Sequence, residues 1–403
     1  MIIGPSVDMM EALRLTRQGR LEEAMAVLRG ALPVSEGSVR REANEVAAPV
    51  LDMVPPSMAT GSAWTAPPTN AASDATQPGD NGPSTPGGFL NRMRKLDIEG
   101  GRDGVAGRRM KSVAVDLPAG AKFETHDFAN EAGSRRYKLY VPSRYKGGAL
   151  PLVVMLHGCT QSPDDFAAGT RMNECAEEQG LFVAYPAQPK SANLSKCWNW
   201  FEGSEQRRGH GEPSLIAGIT RQIMRDLPVE AGRVYVAGLS AGGAAAAIMG
   251  ATYPDLYAAV GVHSGLACGA ARDVPTAFAA MRNGGGPATR SAHGGRTMVP
   301  TIVFHGDGDK TVNPVNADQV IAQAKVAINL KTTVVSGRAA GGMSFVRTIQ
   351  TDDSGRPMLE QWVLQGAGHA WSGGSPAGSY TEPRGPDASR EMVQFFLQHS
   401  TET

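Results

Sequence analysis

Residues Arg233 to Gly250, RVYVAGLSAGGAAAAIMG, constrain what this chain can fold into more than any other stretch. Val234, Val236 and Leu239 are apolar and β-prone, so Arg233 to Leu239 predicts a short strand. From Ala241 onward, five alanines with Ile248 and Met249 predict a helix, alanine being the best helix former. Between them stands Gly238-Leu239-Ser240-Ala241-Gly242, a G-x-S-x-G sequence. A strand that turns directly into a helix forces its central residue into a strained backbone conformation. The flanking glycines remove the Cβ atoms that so sharp a turn would drive together. The Ser240 hydroxyl is left clear at a helix start, where backbone N–H groups can stabilise an anion. This is a setting for a serine nucleophile, and it demands a base, an acid and an oxyanion hole from elsewhere in the chain.

Bulk properties narrow the choice further. The 403-residue length admits one large domain or two small ones. A formal net charge of zero with 19% charged residues is no nucleic-acid footprint. No apolar run is long enough to span a bilayer. The start, MIIGPSVDMMEALRLTRQGR, lacks the basic, apolar and small-residue regions of a secretory signal, so the default expectation is cytoplasmic. The spacing of Cys159, Cys175, Cys197 and Cys268 fits no zinc pattern, and Cys175 and Cys268 are expected to be buried free thiols.

Taken in order, residues 1–46 predict a helical hairpin, with two amphipathic segments between Met10 and Leu32 punctuated by Gly19. It looks like a single tetratricopeptide-type pair, and its expected use is packing on its own domain or a second subunit, or docking to a partner. Residues 47–108 are rich in Pro, Ser, Thr, Ala and Gly without hydrophobic period and are expected to be a disordered linker. Residues 109–403 are expected to form the catalytic domain. A hairpin around Asn130 to Ser134 leads into the continuous apolar strand Pro151 to His157. One helix is expected over Asp164 to Gln179, a strand over Gly180 to Tyr185 and a helix over Pro213 to Leu227. After the opening stretch come strands at Ala258 to Val262 and Thr301 to Phe304, then a pair at Phe345 to Thr351 and Glu360 to Leu364. A helix from Asp387 to Gln398 closes the chain. Strand and helix alternate, which predicts an α/β fold with a mostly parallel sheet and helices on both faces.

The acid and base should follow the serine in sheets of this kind, at the carboxyl edge where ligands gather. The strand ending at Phe304 runs into His305-Gly306-Asp307-Gly308-Asp309-Lys310-Thr311-Val312, so Asp309 and Asp307 both qualify; Asp307 also suits a turn cap. Of eight histidines, only His369 and His399 lie beyond Asp309. His369 sits in the glycine-rich GAGHAWSGG, while His399 near the terminus is expected to be solvated. His157 and His305, at strand ends, are expected to hold loops by hydrogen bonds. The oxyanion donors should be the N–H of Ala241 and that of Cys159, in the loop after the Pro151 to His157 strand.

LHGCTQSPDDF, KCWNWF, GLSAGGAAAAI, VGVHSG, VFHGDGDKTVNP and GAGHAWSGG together resemble the short-chain polyhydroxyalkanoate (PHB) depolymerase family of α/β-hydrolase esterases, from about Phe123 to Phe396. The resemblance implies the α/β-hydrolase fold and serine-esterase chemistry through an acyl-enzyme. The H-G-x-x-D-x-x-V arrangement selects Asp309, giving Ser240, Asp309 and His369. No metal or organic cofactor is implied. The expected substrate is a short-chain polyhydroxyalkanoate or its oligomers. The alternatives are a feruloyl or acetyl-xylan ester of the same fold, or a non-catalytic polymer-binding protein. Trp200 and Trp371 are the expected substrate-binding aromatics, with core packing as the alternative. The family is largely secreted, which offers a second expectation for the compartment. The KCWNWF loop should pass near the oxyanion loop, so Cys159 and Cys197 either form a disulfide or remain free thiols.

Overall fold

A computed structural model of the chain describes residues 115, 117–285, 298–325 and 329–401. The predicted helical hairpin and linker therefore lie outside the described residues, as do residues 286–297.

Ten strands form one sheet. They are β1 (Lys122–Asn130), β2 (Gly133–Val141), β3 (Leu150–Leu156), β4 (Phe182–Pro186), β5 (Val229–Leu239), β6 (Ala259–His263), β7 (Thr301–Gly306), β8 (Lys331–Arg338), β9 (Ser344–Thr351) and β10 (Pro357–Leu364). Their spatial order is β1-β2-β4-β3-β5-β6-β7-β10-β9-β8. Every pairing from β4 through β10 in that order is parallel, and antiparallel strands flank this centre on both sides. The central strands carry apolar residues at both parities, as burial on both faces requires. On β3, Leu152, Val154 and Leu156 join one core cluster while Val153 and Met155 join the other. On β5, Val234 and Val236 face the first and Tyr235, Ala237 and Leu239 the second.

Helices cover both faces. Residues of α3 (Gly211–Asp226), α4 (Ala241–Thr252), α5 (Val274–Asn283) and α6 (Val315–Ala324) belong to the first cluster. Those of α1 (Pro163–Thr170), α2 (Met172–Gln179) and α7 (Ala388–Phe396) belong to the second. No helix among the described residues is long and apolar enough to cross a membrane.

Three departures from the predicted elements have physical causes. The single helix expected over Asp164 to Gln179 is broken into α1 and α2 at Arg171, which adopts a left-handed conformation (φ 58°) with no glycine or asparagine to announce it. Strand β5 begins at Val229 rather than Arg233, because its pairing with β3 shifts register between Leu150 and Leu152. Edge strand β8 was not foreseen: exposed along nearly its whole length, it has no buried face to impose alternation.

Candidate active site

The turn between β5 and α4 places Ser240 at φ 57°, ψ −120°, a conformation that only the surrounding structure can hold. Its N–H donates to the His263 carbonyl (2.9 Å) at the end of β6, and its carbonyl accepts the Ala244 N–H (2.9 Å). A Cβ on Gly238 would stand 2.3 Å from the Gly242 carbonyl oxygen, and one on Gly242 would stand 2.0 Å from that of Leu156. The second contact presses the start of α4 against the end of β3. The loop that follows β3 is thereby brought over the serine: a Cβ on Gly158 would lie 3.7 Å from Ser240 Cβ.

That loop is held from several directions. The Gly158 N–H donates to Gln161 Oε1 (2.9 Å), and Gln161 Nε2 donates to Asp165 (3.0 Å) and to the Ser379 carbonyl (3.1 Å). The Thr160 N–H donates to the Ser195 carbonyl (2.6 Å). Trp198 Nε1 donates to the His157 carbonyl (3.0 Å), and Cys159 is disulfide-bonded to Cys197. The His157 ring bridges the Gly158 carbonyl and the Gln188 N–H, the loop-holding role expected of it. Burial pushes its imidazole down to about 4, so it stays neutral. Among the described residues, neither the Cys159 N–H nor the Ala241 N–H has a hydrogen-bond acceptor.

The loops after β7 and β10 lie together. The Asp307 N–H donates to the Leu364 carbonyl (3.1 Å), Asp307 Oδ1 accepts the Gly366 N–H (2.6 Å), and the Gly308 N–H donates to the Ala367 carbonyl (3.1 Å). Asp307 thus ties the two loops, while Asp309 faces inward. His369 Nδ1 lies 2.7 Å from Asp309 Oδ2, and Asp309 Oδ1 accepts the Thr311 (2.8 Å) and Val312 (2.9 Å) N–H groups. His305 Nε2 donates to the Val312 carbonyl (2.9 Å) and sits 3.3 Å from Asp309 Oδ2. Burial by itself would raise the Asp309 carboxyl. The hydrogen bonds from His305 and His369 outweigh it and hold that carboxyl well below the usual carboxylate range.

A pocket at this edge is lined by Ser240, Ala241, Cys159, Cys197, Trp200, Phe201, Leu266, Ala277, Met281 and Val312. Ser240, both expected oxyanion residues and Trp200 thus share one cavity, and Val312 connects it to the Asp309 loop. Trp371 is not part of it. At 1% exposed it packs against the His263 ring (5.1 Å) and Phe166, with its indole N–H on Ser389 Oγ (3.1 Å), so the core alternative holds and the subsite expectation is corrected. His399 is likewise buried, not solvated. The Tyr235 hydroxyl donates to its carbonyl (2.8 Å), and the Thr401 N–H donates to Gly232 (2.9 Å), pinning the end of the chain to β5. Cys175 is buried and free as expected, whereas free Cys268 is only half-buried. Glu212, which anchors the Trp200 loop, was missed; one acidic residue near a helix start carries no sequence signal of such a role.

The fold is that of the α/β-hydrolases, and the cluster at its carboxyl edge is where members of that class do their chemistry. The sequence profile described as Esterase PHB depolymerase matches residues 135–345, just over half of the chain, and the chain belongs to that family. Poly(3-hydroxyalkanoate) depolymerase C of Paucimonas lemoignei is 31% identical over 255 residues, a span covering 61% of this chain and 61% of that protein. Feruloyl esterase B of Thermothelomyces thermophilus is 28% identical over 275 residues, 64% of this chain and 91% of that protein. Among solved structures, the acetyl xylan esterase from Aspergillus awamori aligns with a TM-score of 0.54 at 20% identity, over 69% of this chain and 99% of that one, a likeness of fold. The chain spans less than two thirds of the length of the depolymerase.

Proposed function

We propose that the chain is a serine esterase that hydrolyses short-chain polyhydroxyalkanoate, or its oligomers, through an acyl-enzyme. Ser240 Oγ attacks the ester carbonyl while His369 Nε2 takes its proton. Asp309 fixes the imidazole through Nδ1 and stabilises the imidazolium. The tetrahedral oxyanion is received by the N–H groups of Cys159 and Ala241. The alcohol leaves with the proton from His369, and water repeats the cycle to free the acid. The observation that carries this reading is the 2.7 Å bond between His369 Nδ1 and an Asp309 carboxylate held ionised, at the sheet edge where the serine elbow stands.

The apolar wall of Trp200, Phe201, Leu266 and Met281 suits a short aliphatic acyl group, which favours the hydroxyalkanoate substrate. A feruloyl ester is the second reading, favoured by the aromatic face of Trp200 and by the similarity to feruloyl esterase B over most of that protein's length. The Cys159–Cys197 bridge favours an oxidising compartment over the cytoplasm.

Ser240→Ala should abolish p-nitrophenyl ester turnover and fluorophosphonate labelling, and retained turnover would sink the nucleophile assignment. In the native protein, hydroxybutyrate trimer should be cleaved faster than methyl ferulate; the reverse order would transfer the substrate reading to the feruloyl class.

A further inference from the structure

The segment between β4 and α3 contains Cys197, Trp200 and Phe201, which form one wall of the pocket, yet from Ala187 to Glu202 it has no helix or strand. Its conformation must come from side chains. The centre of its support is Glu212, 5% exposed in the first turn of α3. Glu212 Oε2 accepts the Asn199 N–H (2.8 Å), and Oε1 accepts Asn199 Nδ2 (2.9 Å) and Gln188 Nε2. Gln188 gives its other amide hydrogen to the Cys197 carbonyl (2.9 Å), while its own buried Oε1 has no partner among the described residues. That orientation is set by what the amide donates. Asn199 Oδ1 accepts from Asn193 Nδ2 (2.8 Å), and Asn193 Oδ1 accepts the N–H groups of Ser195 (3.0 Å) and Cys197 (3.3 Å). From Cys197 the disulfide crosses to Cys159, whose N–H is the proposed oxyanion donor.

On the reading of this site as a serine esterase, we infer that Glu212 is a positioning residue: its carboxylate holds the Asn199 and Gln188 donors, and through Cys197 it sets the pocket wall and the Cys159 oxyanion donor. All of these partners are donors, so the ionised carboxylate suits them best; a proton on Oε2 would compete with the Asn199 N–H for that oxygen and weaken its acceptance. The charged groups facing it are Arg135 from β2, at 3.5 Å, and Glu205, whose Oε2 accepts the Glu212 N–H (2.5 Å). Burial outweighs the hydrogen bonds of Asn199 and Gln188 and pushes the Glu212 carboxyl up to about 7. The wall therefore loosens as pH falls through neutrality.

Glu212→Gln tests this, since it keeps the size but turns one acceptor into a donor. With p-nitrophenyl acetate, kcat should fall by about 10-fold or more with KM within about twofold, because a small displacement of an oxyanion donor acts on the transition state. The acid limb of the kcat–pH profile should lose one titration relative to the native enzyme. Should the Gln variant fail to fold, Glu212→Asp, which keeps the charge at shorter reach, should show an intermediate kcat loss and keep the titration. Native-like kcat and an unchanged acid limb in a folded variant would overturn the inference. A native enzyme that neither turns over esters nor labels with a fluorophosphonate would instead overturn the esterase reading beneath it.

Discussion

Two aspartates stand two residues apart after β7, and their environments assign them different work. Asp307 spends a carboxylate oxygen on the Gly366 N–H and ties two loops, whereas Asp309 takes His369, two backbone N–H groups and the approach of His305. Asp309→Asn should lower kcat by about 10⁴-fold, the size of effect seen when an acid that orients a catalytic imidazole is neutralised in other serine hydrolases. Asp307→Asn should leave kcat within a few-fold and cost about 1–3 kcal/mol of stability for the weakened loop bond. Equal kcat losses would mean that the acid is misassigned. The pairing was partly legible: the H-G-x-x-D-x-x-V arrangement separated Asp309, which contacts His369, from Asp307, which ties the loops. Nothing in local sequence separated Trp200, in the pocket wall, from Trp371, in the core, because both lie in aromatic, glycine-flanked or loop-like contexts and only packing tells them apart.

Two loops without regular structure build one wall of the pocket, one after β3 and one after β4. They are joined by the Cys159–Cys197 bridge, the Thr160–Ser195 backbone bond and the Trp198–His157 bond. Under denaturing, non-reducing conditions a thiol titration should find two free thiols, from Cys175 and Cys268, rising to four after reduction. A count of four before reduction would exclude the bridge. For a sequence separation of 38, loop closure predicts that the bridge stabilises the chain by roughly 4 kcal/mol, so reduction should lower Tm. The elements with strong periodicity were legible, β3 to β7 and α4 among them. The break at Arg171 and the edge strand β8 were not, since one needs a left-handed residue without its usual signal and the other has no buried face.

Across the whole molecule, buried ionisable groups act in opposite senses on stability. Asp309, depressed, contributes stability that is present above the ordinary carboxylate range and is lost only in strong acid. His157, His263 and His399 are depressed by burial, so stability declines as pH falls below the ordinary histidine range and the unfolded chain takes up protons that the folded one refuses. Glu212, raised from 4.5 to about 7, works the other way: its contribution is full below the unfolded value and is lost as pH rises through the folded one. Comparing native protein with Glu212→Gln cancels the aspartate and histidine contributions. The stability of the native protein relative to the variant should fall by roughly 3 kcal/mol between pH 4.5 and pH 8, read from denaturant midpoints. A difference that stays flat with pH would refute the raised carboxyl.

By itself the sequence determined the strand-to-helix elbow at Ser240, the placement of Asp309 and His369 in loops behind it, and the alternation that builds a parallel sheet. These follow from short-range sterics and from hydrophobic period, both written in neighbouring residues. Only the tertiary structure decided that Glu212 underlies the pocket wall, that Trp371 and His399 are buried, and that Cys197 meets Cys159. Those outcomes depend on which distant backbone donors and apolar faces come together when the sheet closes, and no local pattern records them.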